Sequence, residues 1–187
     1  MYKFYEMFLS GTELWENDSN NILPNYFDHY GAAATAFIIA VVVAVVLLFI
    51  FYGIFGMLFP KIGENRWIWV ACLVASFFIT FGVTDAVVIG TDIPQTGLYA
   101  NIETQMNGDE NASDPKYRKG ILEIADSDQQ ARSDAETAQQ TMVAELNDGC
   151  SFKSTLDILN SLISVGIFLL SSILVKRLTK YSQNVPF

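Results

Sequence analysis

Residues 32–59 read AAATAFIIAVVVAVVLLFIFYGIFGMLF, 28 consecutive residues without a charged side chain. A helix of that length rises about 42 Å at 1.5 Å per residue, against the roughly 30 Å of a bilayer's hydrocarbon core. A helix that is apolar on every side is either buried in a large core or solvated by lipid. Pro60 then stops the run, and Lys61, Gly63, Glu64, Asn65 and Arg66 form a polar turn. So short a connection sends the next helix back antiparallel to the first. That helix is expected over 67–90, opening with Trp67 and Trp69 where an aromatic belt belongs and interrupted by one charge, Asp85. A third run, 155–175, carries only Asp157, close to one end.

The fold class expected is an all-α integral membrane protein with three transmembrane helices: a helical hairpin of 31–59 and 67–90 about the turn 60–66, and a third span over 154–178. Between the second and third spans lies an acidic, partly helical loop, 91–153. An N-terminal arm, 1–30, and a tail, 179–187, complete the chain. Residues 1–10 hold Lys3 and Glu6 and lead into Glu13, Glu16 and Asp18 rather than an apolar segment, so no cleavable signal peptide is expected at this point.

Charge fixes the expected orientation. The turn carries Lys61 and Arg66, and the far end of the third span carries Lys176, Arg177 and Lys180 without an acid among them. Basic residues close to span ends stay in the cytoplasm. The arm, with one lysine against five acids, and the long loop then lie outside. Three spans satisfy all these assignments with the N-terminus outside the cell membrane and the C-terminus cytoplasmic. Lys116, Arg118 and Lys119 run against this pattern, but they lie far from the span ends.

The arm is rich in aromatics, and Phe4, Tyr5, Phe8 and Leu9 are spaced for one face of a short helix lying in the headgroup layer or docking on a partner. In the loop, Pro94, Gly97, Asn107, Gly108, Asn111 and Pro115 read as irregular chain. A helix is expected near 127–147, capped at Asp126 or Ser127, with Ala131, Ala135, Ala138 and Met142 in a narrow stripe. This interaction stripe should pack on another copy, another subunit or the arm. Ser154 with Asp157 three residues on resembles a capping box for the third span.

Four residues form the candidate polar site at the outer ends of the spans: Asp85, Thr84, Asp157 and Asn160. An intramembrane carboxylate is a functional hypothesis by default, here a proton- or cation-binding group. Against it stands the simpler reading that Asp85 hydrates at the interface or pairs with a subunit. His29 lacks companions for a metal site. Cys72 and Cys150 should lie at different depths, so no bond between them is expected. Asn17 and Asn111 open glycosylation sequons. A net charge of −9 argues against nucleic acid. No nucleotide, metal or hydrolase motif is present in the sequence, and neither a cofactor nor an enzymatic activity is expected.

The functional expectation is a non-enzymatic membrane subunit of a multi-protein or homo-oligomeric assembly, with the bilayer and other subunits or copies of itself as partners. Two alternatives follow from the same residues. One is a homo-oligomeric pore, in a layout that resembles one class of phage holins without sharing a motif. The other is an immunity or inhibitor protein whose acidic loop captures a basic partner.

Overall fold

A computed structural model describes residues 1–55, 66–90, 96–110, 112, 115–148 and 151–178. The turn residues 60–65, the C-terminal residues 179–187, Asn111 and Cys150 lie outside the described residues, as do the side chains of Phe55, Arg66, Lys116, Lys176, Arg177 and Leu178. All regular structure among the described residues is helical. Among the described residues, three helices are long and apolar enough to cross a membrane: Ala32–Ile54, Trp67–Ile89 and Ser151–Val175, of 23, 23 and 25 residues.

The chain opens with α1 (Tyr2–Leu9), α2 (Glu13–Glu16) and α3 (Ile22–Asp28), then enters α4 (Ala32–Phe49), which continues as a π-helical segment, Ile50–Phe55. Next comes α5 (Arg66–Thr84), again ending in a π-helical segment, Asp85–Ile89. Beyond it lie α6 (Gly97–Asn107), α7 (Pro115–Arg118), α8 (Ile121–Ile124) with a 3₁₀ turn (Ala125–Ser127), α9 (Gln129–Asn147) and α10 (Ser151–Leu178). Contacts divide this chain into two compact units, 1–35 with 85–156 and 36–84 with 157–187.

The second unit contains most of the three long helices, and it is packed with small residues inside and large ones outside. On α4 the buried face is Ala36, Ala40, Ala44, Leu47 and Phe51, while Ile38, Val42, Val45, Val46 and Phe49 are exposed. On α5 Ser76, Thr80 and Thr84 are buried and Val70, Val74, Phe78 and Val83 are exposed. On α10 Ser161, Ser164 and Ser172 are buried and Leu162, Leu170, Ile173 and Leu174 are exposed. Alanine and serine allow helix backbones to approach closely, which is how helices associate when the solvent is itself apolar. At one level Phe51, Trp69, Cys72 and Phe168 close a core drawn from all three helices. Trp69 therefore belongs to the interior at 5% exposure, and of the two belt tryptophans Trp67 alone, at 79%, faces outward.

The first unit has a conventional core of large side chains. Phe27 lies at its centre, with Tyr5, Trp15 and Phe152 around it at ring-centroid separations of 6.1, 6.0 and 6.0 Å. The arm's amphipathic helix forms, but its faces divide differently from the expected set: Tyr5 and Leu9 are fully buried, whereas Phe4 and Phe8 are each 44% exposed. The arm aromatics thus build a core. Burial pushes the Tyr5 hydroxyl's pKa up, as it does that of Tyr26.

Three expectations for the long loop change. Residues 97–107 are a helix, α6, and not irregular chain; Leu98, Ile102 and Met106 recur every fourth residue and all are buried. The start of α9 is capped by Asp128 and not by Asp126 or Ser127, because the 3₁₀ turn uses those residues and the chain becomes extended one position later. The Asp128 carboxylate accepts from the amides of Gln130 at 3.0 Å and Ala131 at 3.3 Å. Asp128→Ala is expected to cost about 0.5–2 kcal/mol, read as faster amide exchange confined to the first turn of α9. Third, α10 is already helical at Ser151, so Ser154 and Asp157 lie inside it and form no capping box.

Glycine is demanded where α6 meets the end of the second long helix. Gly97 has φ +63°, and a β-carbon there would stand 2.8 Å from the carbonyl oxygen of Val88 and 2.9 Å from the amide nitrogen of Gly90. No side chain fits that approach without displacing backbone.

Candidate functional site

The expected polar site separates into two constructions, one in each unit. In the second unit, α5 and α10 run antiparallel and meet along a seam of small polar side chains. From α5 come Trp69, Ser76, Thr80 and Thr84, and from α10 come Ser172, Ser164, Ser161, Asn160 and Asp157. Paired residue numbers rise on one helix as they fall on the other, as antiparallel packing requires. Ser76 and Ser164 share a hydroxyl–hydroxyl hydrogen bond of 2.8 Å. The Asn160 side-chain amide donates to Thr84 Oγ1 at 2.6 Å. The Ser161 hydroxyl donates to the Asp157 carbonyl at 2.7 Å. At the other end, Trp69 Nε1 donates to Ser172 Oγ at 3.0 Å, and the Tyr52 hydroxyl lies 2.7 Å from the same oxygen. Ser172 thereby ties all three long helices together.

Of the four residues singled out in the sequence, Thr84, Asp157 and Asn160 belong to this seam and all three are fully buried. Thr80 is equally buried, and its hydroxyl has no hydrogen-bond partner among the described residues. The seam's chemistry is that of hydroxyls, one amide and one carboxylate held between two helices. The one signal in the sequence that points to it is the four-residue spacing of small polar residues, Ser76, Thr80 and Thr84 on one helix, with Ser164 and Ser172 two such steps apart on the other.

Asp85 belongs to the first unit. It begins the π-helical segment, where the Gly90 amide donates to the Asp85 carbonyl at 2.9 Å, five residues apart. Its carboxylate pairs with Lys153 Nζ at 2.9 Å, with side-chain exposures of 18% and 21%. Lys153 does not stand out in the sequence, although it lies two residues before the third apolar run and so at a depth matching the end of the second. A π-helical turn frees carbonyls, and here Val88 O is satisfied by the Tyr26 hydroxyl at 2.5 Å. The coupling between Asp85 and Lys153 falls between that of an exposed pair, about 0.2–1 kcal/mol, and a buried one, about 3–5 kcal/mol when broken. A double-mutant cycle with Asp85→Asn and Lys153→Met is expected to return a coupling of about 1–3 kcal/mol, and additive losses would remove the pair from the structure's stabilising contacts.

Half of the alanine stripe is buried within the chain. Ala135 and Met142 are buried at 6% each, joined by Leu146 at 2%, while Ala131 is exposed and Ala138 half-buried. Of Ala131, Ala135, Ala138 and Met142, the buried pair faces the first unit's own interior, Ala138 and Met142 border a groove shared with Leu14 and Ile22 of the arm, and Tyr99 of α6 donates to the Asn147 side chain at 2.9 Å. His29 stacks on Tyr117 at 3.7 Å with an interplanar angle of 16°. Among the described residues no group of His, Cys, Asp and Glu is placed to hold a metal ion. Cys72 is buried beside Phe168 in the second unit.

A groove opens on the first unit between the turn joining α2 to α3 and the middle of α9, with a volume of about 330 Å³. Its apolar floor includes Leu14, Ile22 and Met142, and Asp18, Asp134 and Glu145 stand around it. Asp18 accepts from the amides of Ile22 at 3.0 Å and Leu23 at 2.7 Å, fixing the start of α3. Burial raises the Asp18 carboxyl's pKa above its ordinary value, against the opposing pull of these amides.

No protein-family model, curated protein or solved structure matches this chain.

Proposed function

We propose that this chain is a non-enzymatic membrane subunit whose three spans anchor an acidic docking unit outside the cytoplasm. The observation that carries this reading is the division of charge between the two compact units. Residues 1–35 and 85–156 hold 18 of the 20 acidic side chains and 6 of the 11 basic ones, a balance of −12, leaving +3 for the rest of the chain. A unit of that charge resists burial in lipid, while one that exposes Val, Ile, Leu and Phe and buries Ser and Ala is suited to it.

The arrangement within the first unit supports a shared side for the arm and the long loop. Its core joins Phe27 of the arm to Phe152 at the start of α10, and Tyr26 is bonded to Val88 at the end of the second long helix. With three crossings, the tail falls on the opposite side. In the sequence, Lys61, Arg66, Lys176, Arg177 and Lys180 flank the opposite ends of the spans, and by the positive-inside rule this supports a cytoplasmic location for that side and an exterior one for the acidic unit. Thr84 and Asn160 serve to hold α5 against α10, Asp157 is buried on the same face of α10, and a pore mouth built from the three and Asp85 draws no support from their burial or from the Asp85–Lys153 pair.

Affinity purification of the full chain after gentle solubilisation, followed by native electrophoresis and mass spectrometry, tests the proposal. A co-purifying chain or a defined homo-oligomer is expected. A stable monomer with no companion would overturn it. In a Cys150→Ser background, Ser133→Cys on the exposed face of α9 should react with an impermeant maleimide in intact cells, and protection until lysis would invert the topology.

A further inference from the structure

The groove between the α2–α3 turn and α9 has a chemistry that selects its occupant, and this inference rests on the reading of the first unit as a docking unit. The lining's hydrogen-bond donors on α9 are already spent. Thr137 Oγ1 donates to the Ser133 carbonyl at 2.8 Å and Thr141 Oγ1 to the Thr137 carbonyl at 3.0 Å, so both hydroxyls offer lone pairs to a ligand. Asp134 accepts from Gln130 Nε2 at 2.9 Å through one oxygen, leaving the second. Glu145 forms no ion pair among the described residues. Among the described residues, no lysine or arginine lines the groove.

Four of the unit's six cations have partners elsewhere. Arg132 pairs with Asp126 and Glu136, Lys119 with Glu123 and Lys153 with Asp85, while Arg118 Nε donates to the Ala112 carbonyl at 2.9 Å. Carboxylates and acceptor hydroxyls thus surround a floor of Leu14, Ile22 and Met142. A bare metal ion has no use for that floor, and the described acids do not converge as metal ligands do. A lysine or arginine side chain matches both halves, its methylene stem on the apolar floor and its charged head among the acids. At about 330 Å³ the space lies at the small end of ligand pockets, room for one long side chain and part of an apolar neighbour.

We propose that this groove receives a lysine or arginine side chain presented, beside an apolar residue, by a basic segment of a partner protein. The carboxylates of Asp134 and Glu145 hold the head, and Met142 contacts the stem. Asp18 keeps the turn in place and adds its field.

The test uses the full chain in zwitterionic nanodiscs, with methionine methyl groups labelled for NMR. The probe is a short synthetic peptide of lysine and serine with a central leucine. A saturable shift of the Met142 methyl is expected. D134N/E145Q should weaken binding by about tenfold or more, as expected for losing close charge pairs across an interface. E103Q/E110Q, which removes the same charge from exposed positions of the same unit, should leave affinity within about twofold. Equal weakening by both pairs would reduce the effect to a diffuse field and overturn the proposal. So would a silent Met142 methyl in the wild-type titration, which needs no variant to fold. Spermidine or calcium ions binding at Met142 as tightly as the peptide would make the groove a small-cation site instead, and would equally overturn it. Should D134N/E145Q purify with the same assembly as the wild type, the groove proposal fails while the subunit reading stands; a lone wild-type monomer is the failure of the latter.

Discussion

Phe27→Ala is expected to destabilise the first unit by about 3–5 kcal/mol, the range for truncating a fully buried aromatic to a methyl group. Phe27 is 1% exposed, and its ring stands edge-on to Phe152 at an interplanar angle of 82°. It also meets Tyr5 of α1 and Trp15 of α2. Four separate segments of chain therefore depend on one side chain, and the cavity left by alanine cannot be closed by moving any one of them. A domain's whole stability is about 5–15 kcal/mol, so such a loss leaves this unit close to unfolding at ordinary temperature. The measurement is amide exchange and tryptophan emission of the full chain in detergent. Exchange should accelerate across α1, α3 and α6, while the second unit's helices keep their protection. Uniform loss of protection in both units would show that they do not unfold separately. A change below about 1 kcal/mol would mean that Phe27 is not central.

Ser164→Leu is expected to part α5 from α10, and Ser164→Ala is expected to do little. Two effects compete at this position, a hydrogen bond and a distance. The bond from Ser164 to Ser76 is 2.8 Å long and fully buried. Hydrogen bonds between helices in lipid nevertheless average about 0.6 kcal/mol. Forcing added carbons into a filled interface costs about 1–3 kcal/mol, and here the displacement also takes the Thr84–Asn160 bond out of register. Size therefore outweighs polarity. Reversible unfolding in a denaturing detergent, or steric trapping of labels placed on the two helices, should rank leucine well below alanine and alanine near wild type. Alanine as damaging as leucine would show that the hydrogen bond, and not the close approach, holds these helices together.

Much of the chain's organisation follows from solubility rules that act on each segment by itself. The apolar length of 32–59 and the charge-poor runs after it select helices of membrane-crossing length without reference to any contact. The α9 helix near 127–147 is visible for a similar reason, since its spacing and acidic flanks are local. The site is another matter. Thr84, Asp157 and Asn160 stand out as polar groups in apolar runs, but which hydroxyl meets which depends on the vertical register of α5 against α10. No residue-by-residue preference sets that register.

The α6 helix shows the same boundary. Leu98, Ile102 and Met106 hold the helical period, but Asn101 and Gln105 share the buried face and dilute it. Their burial is acceptable because Gln105 Nε2 donates to the Ile22 carbonyl at 2.9 Å and Asn25 Nδ2 donates to Gln105 Oε1 at 3.3 Å. Those partners are some 80 positions away in the chain, beyond the reach of any periodicity.

By itself, then, the sequence determined three helices of membrane-crossing length, the charge bias of the segments between them and the site of the acidic helix, because transfer between solvents is a property of each stretch alone. Tertiary structure alone decided that the arm's aromatics form a core around Phe27, that Lys153 answers Asp85, that serines join α5 to α10, and that a groove lined by acids opens beside α9. Each of these needs two distant segments at one place, and a buried polar or aromatic group is stable only when its counterpart arrives with it.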